Sequence, residues 1–283
     1  MTECFESHRN TSHVLCGGGA SAAGIWGPDG LRVAASITFD NLGEAGEIAA
    51  GTWPQGKSLG QHSSVENLPK VLSVLEEEGI RSTFFVEGSN TDTYPDAVRS
   101  IAERHEIGCH GFWHEVWHEL KPEQERDILA RALRGYRKLG IAQVPGFRPP
   151  GGKLTSASWN VLRELGFRYV SPVGETPVVE NGITVLPFKW ETIDGFHIAP
   201  EIRDPPLSTD QMLAIYEQIV EKIVACGGYL SFIFHPIWLD NESRLGALRT
   251  LIQRLKQDKR LWLAPCGDVS EFIRVNALCS RRS

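Results

Sequence analysis

The sequence predicts an α/β protein in which strands and helices alternate around one parallel sheet or barrel. Apolar runs typical of buried strands, such as residues 33–39 and 229–234, alternate with amphipathic segments of helical spacing, such as residues 209–225. About seven strands can be counted in this way, and repeated strand–helix units build parallel sheets and barrels. A chain of 283 residues can form a single domain of this kind.

The individual elements follow from apolar periodicity and from the glycines that interrupt it. A helix is predicted over residues 64–78, because its apolar residues recur at helical spacing and Gly79 follows. The other elements, in order, are a strand at 80–86, a helix at 96–104, a strand at 107–109, helices at 123–139, 156–165 and 209–225, a strand at 229–234, a final helix at 245–255 and a strand at 261–264.

The chain is predicted to contain one catalytic domain, over residues 31–275. Residues 1–30 are polar and include a glycine-rich run, so they are expected to form a flexible N-terminal arm. Residues 276–283 are expected to form a C-terminal tail. The connection over residues 42–63 is long for a strand–helix loop, and we expect it to shape the substrate pocket.

Composition excludes two classes of partner. A net charge of −6 argues against nucleic-acid binding, which needs a concentrated basic face. The sequence has neither an apolar run long enough to span a membrane nor a recognisable secretory signal, so a cytoplasmic location without membrane association is expected. A homo-oligomer is compatible with the sequence.

Three separated stretches place polar side chains directly after apolar runs. They are residues 38–41 (TFDN), residues 110–114 (HGFWH) and residues 147–151 (FRPPG). Active sites of parallel α/β folds lie at the C-terminal ends of strands, so these stretches are expected to meet at one site.

The second stretch carries a pair of histidines, His110 and His114. Two histidines four positions apart can face the same way on a helical turn, so that both imidazoles reach one divalent cation. With an oxygen ligand from elsewhere, the pair predicts a hydrolytic metal centre.

All three stretches, in this order, resemble the polysaccharide deacetylase family (NodB-type, carbohydrate esterase family 4). The resemblance extends from about residue 32 to about residue 273. Residues 83–88 (TFFVEG) are similar to the family's second strand, and residues 230–236 (LSFIFHP) are similar to its late strand that ends in a histidine. The resemblance implies a distorted, incomplete barrel of about seven or eight β/α units and the hydrolysis of an N-acyl amide.

The resemblance also implies a role for each matching residue. Asp40 matches the base that takes a proton from water, and Arg148 matches the arginine that orients this base. His235 matches the general acid, and Asp194 matches the aspartate that polarises it. The implied metal ligands are His110, His114 and Asn41.

Several residues in or beside the motif loops are predicted to line the substrate pocket, because aromatic and small side chains are common in sugar-binding and apolar pockets. These residues are Trp113, Pro149, Gly151, Trp190, His197 and Trp238.

Asn41 departs from the family pattern, which has a second, metal-binding aspartate at this position. An amide oxygen can bind a cation but adds no charge, so weaker metal binding is expected. The delta-lactam-forming muramic acid deacetylases also carry Thr-Phe-Asp-Asn, so the change does not imply an inactive protein. Glu44, Glu47, His62 or Asp40 are alternative ligands. Zinc is the expected metal, with cobalt, nickel and manganese as alternatives.

The predicted function is metal-dependent removal of an N-acyl group, foremost N-acetyl, from an amino sugar, an oligosaccharide or a related small metabolite. One alternative is hydrolysis of a cyclic amide or imide, as in the allantoinase-like branch, because the sequence has His235-Pro236 instead of the commoner His-Asp. A second alternative is a catalytically silent, carbohydrate-binding relative. Asn41 favours this last hypothesis, whereas the retention of both a base and an acid opposes it.

Overall fold

The computed structural model describes residues 24–175 and 177–279. Nine strands form one curled sheet. They are β1 (Val33–Asp40), β2 (Thr83–Val86), β3 (Glu106–Cys109), β4 (Gly146–Phe147), β5 (Tyr169–Val170), β6 (Val178–Glu180), β7 (Ile183–Val185), β8 (Gly228–Phe234) and β9 (Leu261–Leu263).

The strand order is β6-β7-β5-β4-β3-β2-β1-β8, and β9 pairs with β1 beside this path. Every pairing is parallel except that of β6 with β7. No ladder joins β6 to β8 within the described part of the chain, so the barrel is incomplete. The predicted α/β class and the distorted, incomplete barrel are therefore confirmed.

The predicted helices agree with the structure to within a few residues, but residues 245–255 are not the final helix, because another helix follows β9. The helices are α1 (Ala45–Ala50), α2 (Ser63–Glu77), α3 (Asn90–Thr93), α4 (Pro95–Ala102), α5 (Pro122–Lys138), α6 (Ser158–Glu164), α7 (Asp194–Ile198), α8 (Thr209–Cys226), α9 (Glu242–Gln257) and α10 (Cys266–Cys279). No helix within these residues is long and apolar enough to cross a membrane.

Ordered structure continues across both predicted domain boundaries. Helix α10 continues past residue 275, and its buried residues Cys266, Val269 and Ile273 dock it on the sheet, so residues 276–279 are helical rather than a separate tail. Trp26 is also buried, and its backbone amide donates to the carbonyl of Leu31, so ordered structure begins before residue 31. The rest of the predicted arm, residues 1–23, and residues 280–283 lie outside the described residues.

Strand β1 lies beside β8 near one end of the strand order, and all of its residues are buried. One edge pairs with β8 from Val33 to Phe39. The other edge is divided between β9, which pairs at the N-terminal end, and β2, which pairs from Thr38 to Asp40. The C-terminal end of β1 therefore lies between β2 and β8.

The two faces of β1 differ in character, because side chains alternate along a strand. Its outward face carries Val33, Ala35, Ile37 and Phe39, which belong to the apolar core formed with the helices. The inward face carries Ala34, Ser36, Thr38 and Asp40, so it becomes polar toward the C-terminal end. Buried polar side chains need partners, and this end of the barrel supplies them.

Trp117 supports β4 from outside the barrel. Its indole is fully buried, its ring centroid lies 4.6 Å from that of Phe147, and its Nε1 donates to Ser158 Oγ at 3.1 Å. Trp117 thereby fixes the strand that immediately precedes Arg148.

We predict that Trp117→Ala lowers the free energy of unfolding by roughly 3–5 kcal/mol, because it leaves a cavity and removes the hydrogen bond from the indole to Ser158. The matched control is Trp113→Ala, in the same loop, since Trp113 is 36% exposed. This control should change stability by less than about 1 kcal/mol. Urea unfolding measures both variants, and equal losses would contradict the packing described here.

Candidate active site

Arg148 joins the strands at the C-terminal end of the barrel. Its Nη1 donates to Asp40 Oδ1 at 2.6 Å and to Thr38 Oγ1 at 2.9 Å. Its Nη2 donates to the hydroxyls of Ser171 and Ser231, both at 3.0 Å, and its Nε donates to Ser171 at 3.3 Å. The side chain is 1% exposed, so these acceptors replace the water that the guanidinium has lost.

Aromatic rings and the backbone complete the surroundings of Arg148. Its Cζ lies 4.0 Å from the ring centroid of Phe85 and 5.2 Å from that of Phe188, contacts that suit a planar guanidinium. The carbonyl of Arg148 lies 2.8 Å from His110 Nδ1 and accepts a hydrogen bond from it. Arg148 therefore orients both Asp40 and His110.

Asp40 and Asn41 occupy the turn that follows β1. Asp40 is 7% exposed and faces Arg148 inside the barrel. Asn41 has a left-handed backbone with φ of +57°, a conformation that Asn tolerates better than most residues. Its Oδ1 is buried without a hydrogen-bond partner among the described residues. This orphaned amide oxygen is available to a ligand.

His110 and His114 approach each other, but not on a helix as predicted. Residues 110–116 form a loop after β3, in which Gly111 and His114 have φ values of +75° and +58°. The Glu115 carboxylate accepts hydrogen bonds from the amides of Phe112 and Trp113, which stabilises this turn. The expectation of a helical turn is therefore wrong, yet the two imidazole centroids still lie 5.0 Å apart.

Both imidazoles are held in the neutral form. Burial lowers the pKa of His110 to about 3, although its hydrogen bond to the Arg148 carbonyl acts in the opposite direction. Burial also lowers the pKa of His114 to about 3, and the charge of His110 adds to this effect. Because Nδ1 of His110 donates to a carbonyl, its Nε2 has a free lone pair, which is the form that binds metals.

His235 and Asp194 form a second ion pair at the same end of the barrel. His235 follows β8, and an isolated bridge between Ile193 and Ile233 brings Asp194 beside it. His235 Nδ1 lies 2.6 Å from Asp194 Oδ1, and the His235 amide donates to Asp194 Oδ2 at 2.8 Å. Burial lowers the pKa of His235, but the Asp194 carboxylate outweighs it, and the net shift is upward.

Glu87 was not singled out by the sequence analysis, although it also follows a strand. It is fully buried directly after β2, and burial raises the pKa of its carboxyl to about 8. The charge of Asp40 contributes to this upward shift, whereas His235 opposes it, so both lie within electrostatic range. The same rule that identified Asp40, a polar residue at a strand's C-terminal end, would have identified Glu87.

Glu44, Glu47 and His62, the alternative metal ligands, have other partners. Glu44 Oε1 accepts hydrogen bonds from the Tyr94 hydroxyl at 2.5 Å and from the Gly60 amide at 2.7 Å. Burial raises the pKa of Glu44, but these bonds outweigh it and the net shift is downward. His62 Nε2 pairs with Glu47 Oε2 at 2.9 Å.

The second nitrogen of His62, Nδ1, accepts a hydrogen bond from the Ser64 amide at 3.1 Å. Both nitrogens of this histidine are therefore occupied. These contacts fasten the long connection over residues 42–62 to α2 and do not support the three residues as metal ligands.

Two predicted pocket tryptophans lie close to the ion pairs. The Trp190 ring contacts Phe188 edge-on, with centroids 5.9 Å apart, and Phe188 in turn covers Arg148. A methyl group placed on Gly195 would lie 3.4 Å from Trp238 Nε1, so Trp238 adjoins the turn that carries Asp194. Their contact with substrate stays a prediction.

The remaining predicted pocket residues differ in exposure. Trp113 and Gly151 are exposed and Pro149 is buried. His197 is also buried; its Nε2 lies 2.9 Å from the Glu191 carbonyl, and its ring contacts Tyr216 edge-on. These are the contacts of a histidine packed between α7 and α8, and a role in the pocket stays a prediction.

The donors available to a metal are few. In residues 24–175 and 177–279, no group of three or more His, Cys, Asp or Glu side chains is arranged to hold a metal ion. The paired imidazoles of His110 and His114 and the orphaned oxygen of Asn41 nevertheless offer neutral nitrogen and oxygen donors of the kind that a divalent cation accepts. Because this set carries no negative charge, weak binding is expected.

Comparison with known proteins finds relatives of this chain. Residues 34–170 match the family model described as polysaccharide deacetylase. The chain is 30% identical over 146 residues to the peptidoglycan deacetylase-like protein FGM2 of Gibberella zeae, an alignment that covers 49% of this chain and 43% of that protein. It is 26% identical over 152 residues to a peptidoglycan-N-acetylglucosamine deacetylase of Bacillus cereus, which covers 53% of each.

A solved structure extends the similarity over most of the chain. A crystal structure assigned to a polysaccharide deacetylase from Mycobacterium smegmatis superposes with a TM-score of 0.82 at 25% identity, over 90% of this chain and 95% of that one. The chain spans about half the length of the curated relatives it matches.

These comparisons confirm the resemblance to the polysaccharide deacetylase family, carbohydrate esterase family 4, that the motifs predicted. The Bacillus cereus relative is by its name a deacetylase, an enzyme that hydrolyses a carbon–nitrogen bond other than a peptide bond.

Proposed function

We propose that this protein is a metal-dependent hydrolase that removes an N-acetyl group from an amino sugar, either free or within an oligosaccharide. The observation that carries the proposal is the pairing of Asp40 with Arg148 and of His235 with Asp194 at one end of the barrel. A base and an acid, each held by its own partner, are what amide hydrolysis requires. The names of the relatives, peptidoglycan deacetylases, support the N-acetyl group as the substrate class.

Asp40 is the proposed base. As a water molecule attacks the acyl carbon, Asp40 accepts a proton from it, and the hydrogen bond from Arg148 keeps the carboxylate aligned. His235 is the proposed acid, which donates its proton to the amine nitrogen as the carbon–nitrogen bond breaks. Asp194 favours the imidazolium form that this donation needs.

His110, His114 and Asn41 would hold a divalent metal, with zinc the first choice because two imidazoles and one oxygen suit it. A bound cation lowers the pKa of water at the site and polarises the acyl oxygen. The cytoplasmic location expected from the sequence stays a prediction.

The direct test is release of amine and acetate from N-acetylglucosamine, N-acetylated chitooligosaccharides and peptidoglycan fragments, with allantoin as a cyclic amide. We predict turnover of at least one N-acetyl substrate and a loss of more than roughly a hundredfold in Asp40→Asn and in His235→Asn. The control is Asp92→Asn, because Asp92 is exposed.

A second prediction concerns pH dependence. In Asp194→Asn the pKa of His235 should fall, because the carboxylate that raises it is lost. The alkaline limb of the pH profile of activity should therefore move to lower pH.

Each other outcome of this assay selects a different function. Turnover of allantoin alone would establish the cyclic amide hydrolase. Binding of an oligosaccharide without turnover of any substrate would establish the silent relative and overturn the proposal. Equal activity in wild type and Asp40→Asn would contradict the role of the base.

Metal binding is tested separately by metal content. We predict that His110→Ala and His114→Ala lose stoichiometric metal, because each removes one of few ligands. His118→Ala, an exposed histidine just beyond the same loop, should retain it. Asn41→Asp should bind the metal more tightly, because it adds negative charge to the donor set. Full metal content in both histidine variants would refute the proposed site.

A further inference from the structure

The side chain of Glu87 points into the barrel, above Arg148. Phe85, two residues earlier, faces inward because its ring contacts the Arg148 guanidinium. Backbone pairing with the next strand continues past Glu87, since the His110 amide donates to the Val86 carbonyl and the Gly88 amide donates to the Gly111 carbonyl. Side chains in extended backbone alternate, so Glu87 lies on the same inner face as Phe85.

The two oxygens of the Glu87 carboxyl have different surroundings. Oε2 accepts hydrogen bonds from the Leu42 amide at 3.3 Å and from Asn90 Nδ2 at 2.9 Å. Oε1 is buried and has no partner among the residues that the structure describes. A buried polar atom without a partner is unfavourable and needs an explanation. The contacts of Oε2 fix the carboxyl, so Oε1 has a defined position.

We propose that Glu87 contacts the substrate through Oε1, next to Asp40 and His235, and donates a hydrogen bond to an oxygen of the bound N-acyl compound. This inference rests on the proposed function and adds to it a residue that determines which substrates fit. With Glu87 as a donor, the site favours substrates that have an acceptor oxygen, either a carbonyl or a sugar hydroxyl, beside the reacting amide.

The protonation state of Glu87 supports a donor. Burial raises its pKa to about 8, so the carboxyl is neutral at pH 7, and both groups that bond Oε2 are N–H donors. The proton therefore belongs on Oε1, which donates as a carboxylic acid. A neutral acid next to an ionised one allows two carboxyl groups to share a site without repulsion.

Several titratable or charged groups surround Glu87. Asp40 ends the neighbouring strand β1, His235 follows β8 one strand further on, and Glu115 and His114 lie in the loop after β3. The remaining groups are Arg148, His110, Cys109 and Tyr136. All of them are retained in a Glu87 variant, so a difference between the pH profiles traces to Glu87, either directly or through its charge on Asp40 and His235.

The test compares wild type with Glu87→Gln and Glu87→Met, using an N-acetylated chitooligosaccharide as the probe. Gln keeps a donor on one atom and an acceptor for the Leu42 amide on the other, so its kcat/KM should stay within about threefold of wild type at pH 7. Met has no donor and should lower kcat/KM roughly 5- to 100-fold. Above about pH 8, wild type should lose an additional fraction of kcat/KM that Glu87→Gln retains, because Glu87 ionises and can no longer donate.

Two control variants separate this role from a structural one. Glu106→Gln alters a second buried carboxyl, which lies at the opposite end of the barrel. Burial raises the pKa of Glu106 to about 7, and its Oε2 accepts a hydrogen bond from the Gly267 amide. This variant should follow the wild-type pH profile of kcat/KM. Asn90→Ala removes one anchor of Oε2 but keeps the carboxyl and its hydrogen bond from the Leu42 amide, so it should reproduce neither the Met defect nor the Gln profile.

The pH dependence of thermal stability tests the protonation state of Glu87 without any substrate. The folded-state pKa of Glu87 lies above its unfolded value of about 4.5, so its contribution to stability is present at low pH and is lost as pH rises to about 8. Wild type should therefore lose more stability between these pH values than Glu87→Gln does. Superimposable stability curves would show that the carboxyl is not held neutral and would overturn the proposal.

The failure of this inference can be distinguished from the failure of the proposed function. If wild type hydrolyses no probe, the proposed function fails. The role of Glu87 is then tested by calorimetry, which compares the affinity of the chitooligosaccharide for wild type and for Glu87→Met. Equal kcat/KM or equal binding in wild type and Glu87→Met would overturn the inference. If the Met variant does not fold, identical pH profiles for wild type and Glu87→Gln would overturn it.

Discussion

The site depends on the hydrogen bonds that the buried guanidinium of Arg148 donates to Asp40 and to the surrounding hydroxyls. A charge without solvent is unfavourable unless a counter-charge and hydrogen-bond acceptors surround it. Arg148 follows β4, and its acceptors come from β1, β8 and the residue after β5, which lie on both sides of it in the sheet. The charge can be satisfied only when these strands are correctly placed, so the fold and the geometry of Asp40 are established together.

Environment gives chemically similar groups different roles at this end of the barrel. Asp40 and Asp194 are each paired with a cation, whereas Glu87 is buried against uncharged N–H donors and is neutral at pH 7. The same contrast applies to the histidines, because burial keeps His110 and His114 neutral while Asp194 favours the charged form of His235. Neutral imidazoles suit a metal, and a charged one suits proton donation.

Much of this arrangement could be predicted from the sequence, because a simple rule governs it. Asp40, His110, Arg148 and His235 each follow an apolar run, and the C-terminal ends of parallel strands meet. The rule also covers Glu87, which a stricter application would have found. Asp194 has no such signal, since an isolated bridge rather than a regular strand brings it beside His235.

Other features depend on contacts that a local pattern cannot reveal. Strands β4 and β5 are too short to show alternation, and the loop with His114 owes its shape to the Glu115 carboxylate rather than to helical spacing. The antiparallel pair β6 and β7 did carry a recognisable signal. Its turn is Asn181-Gly182, with φ values of +50° and +79°, a dipeptide typical of tight hairpins.

The most direct test of this account is a double-mutant cycle on the free energy of unfolding with Arg148→Met and Asp40→Asn. Each single substitution leaves one member of the buried pair without its partner and should lower stability by roughly 3–5 kcal/mol. The double variant removes both charges, so its loss should be smaller than the sum of the single losses by more than about 1 kcal/mol. Additive losses would contradict the account, because they would show that the guanidinium and the carboxylate do not depend on each other.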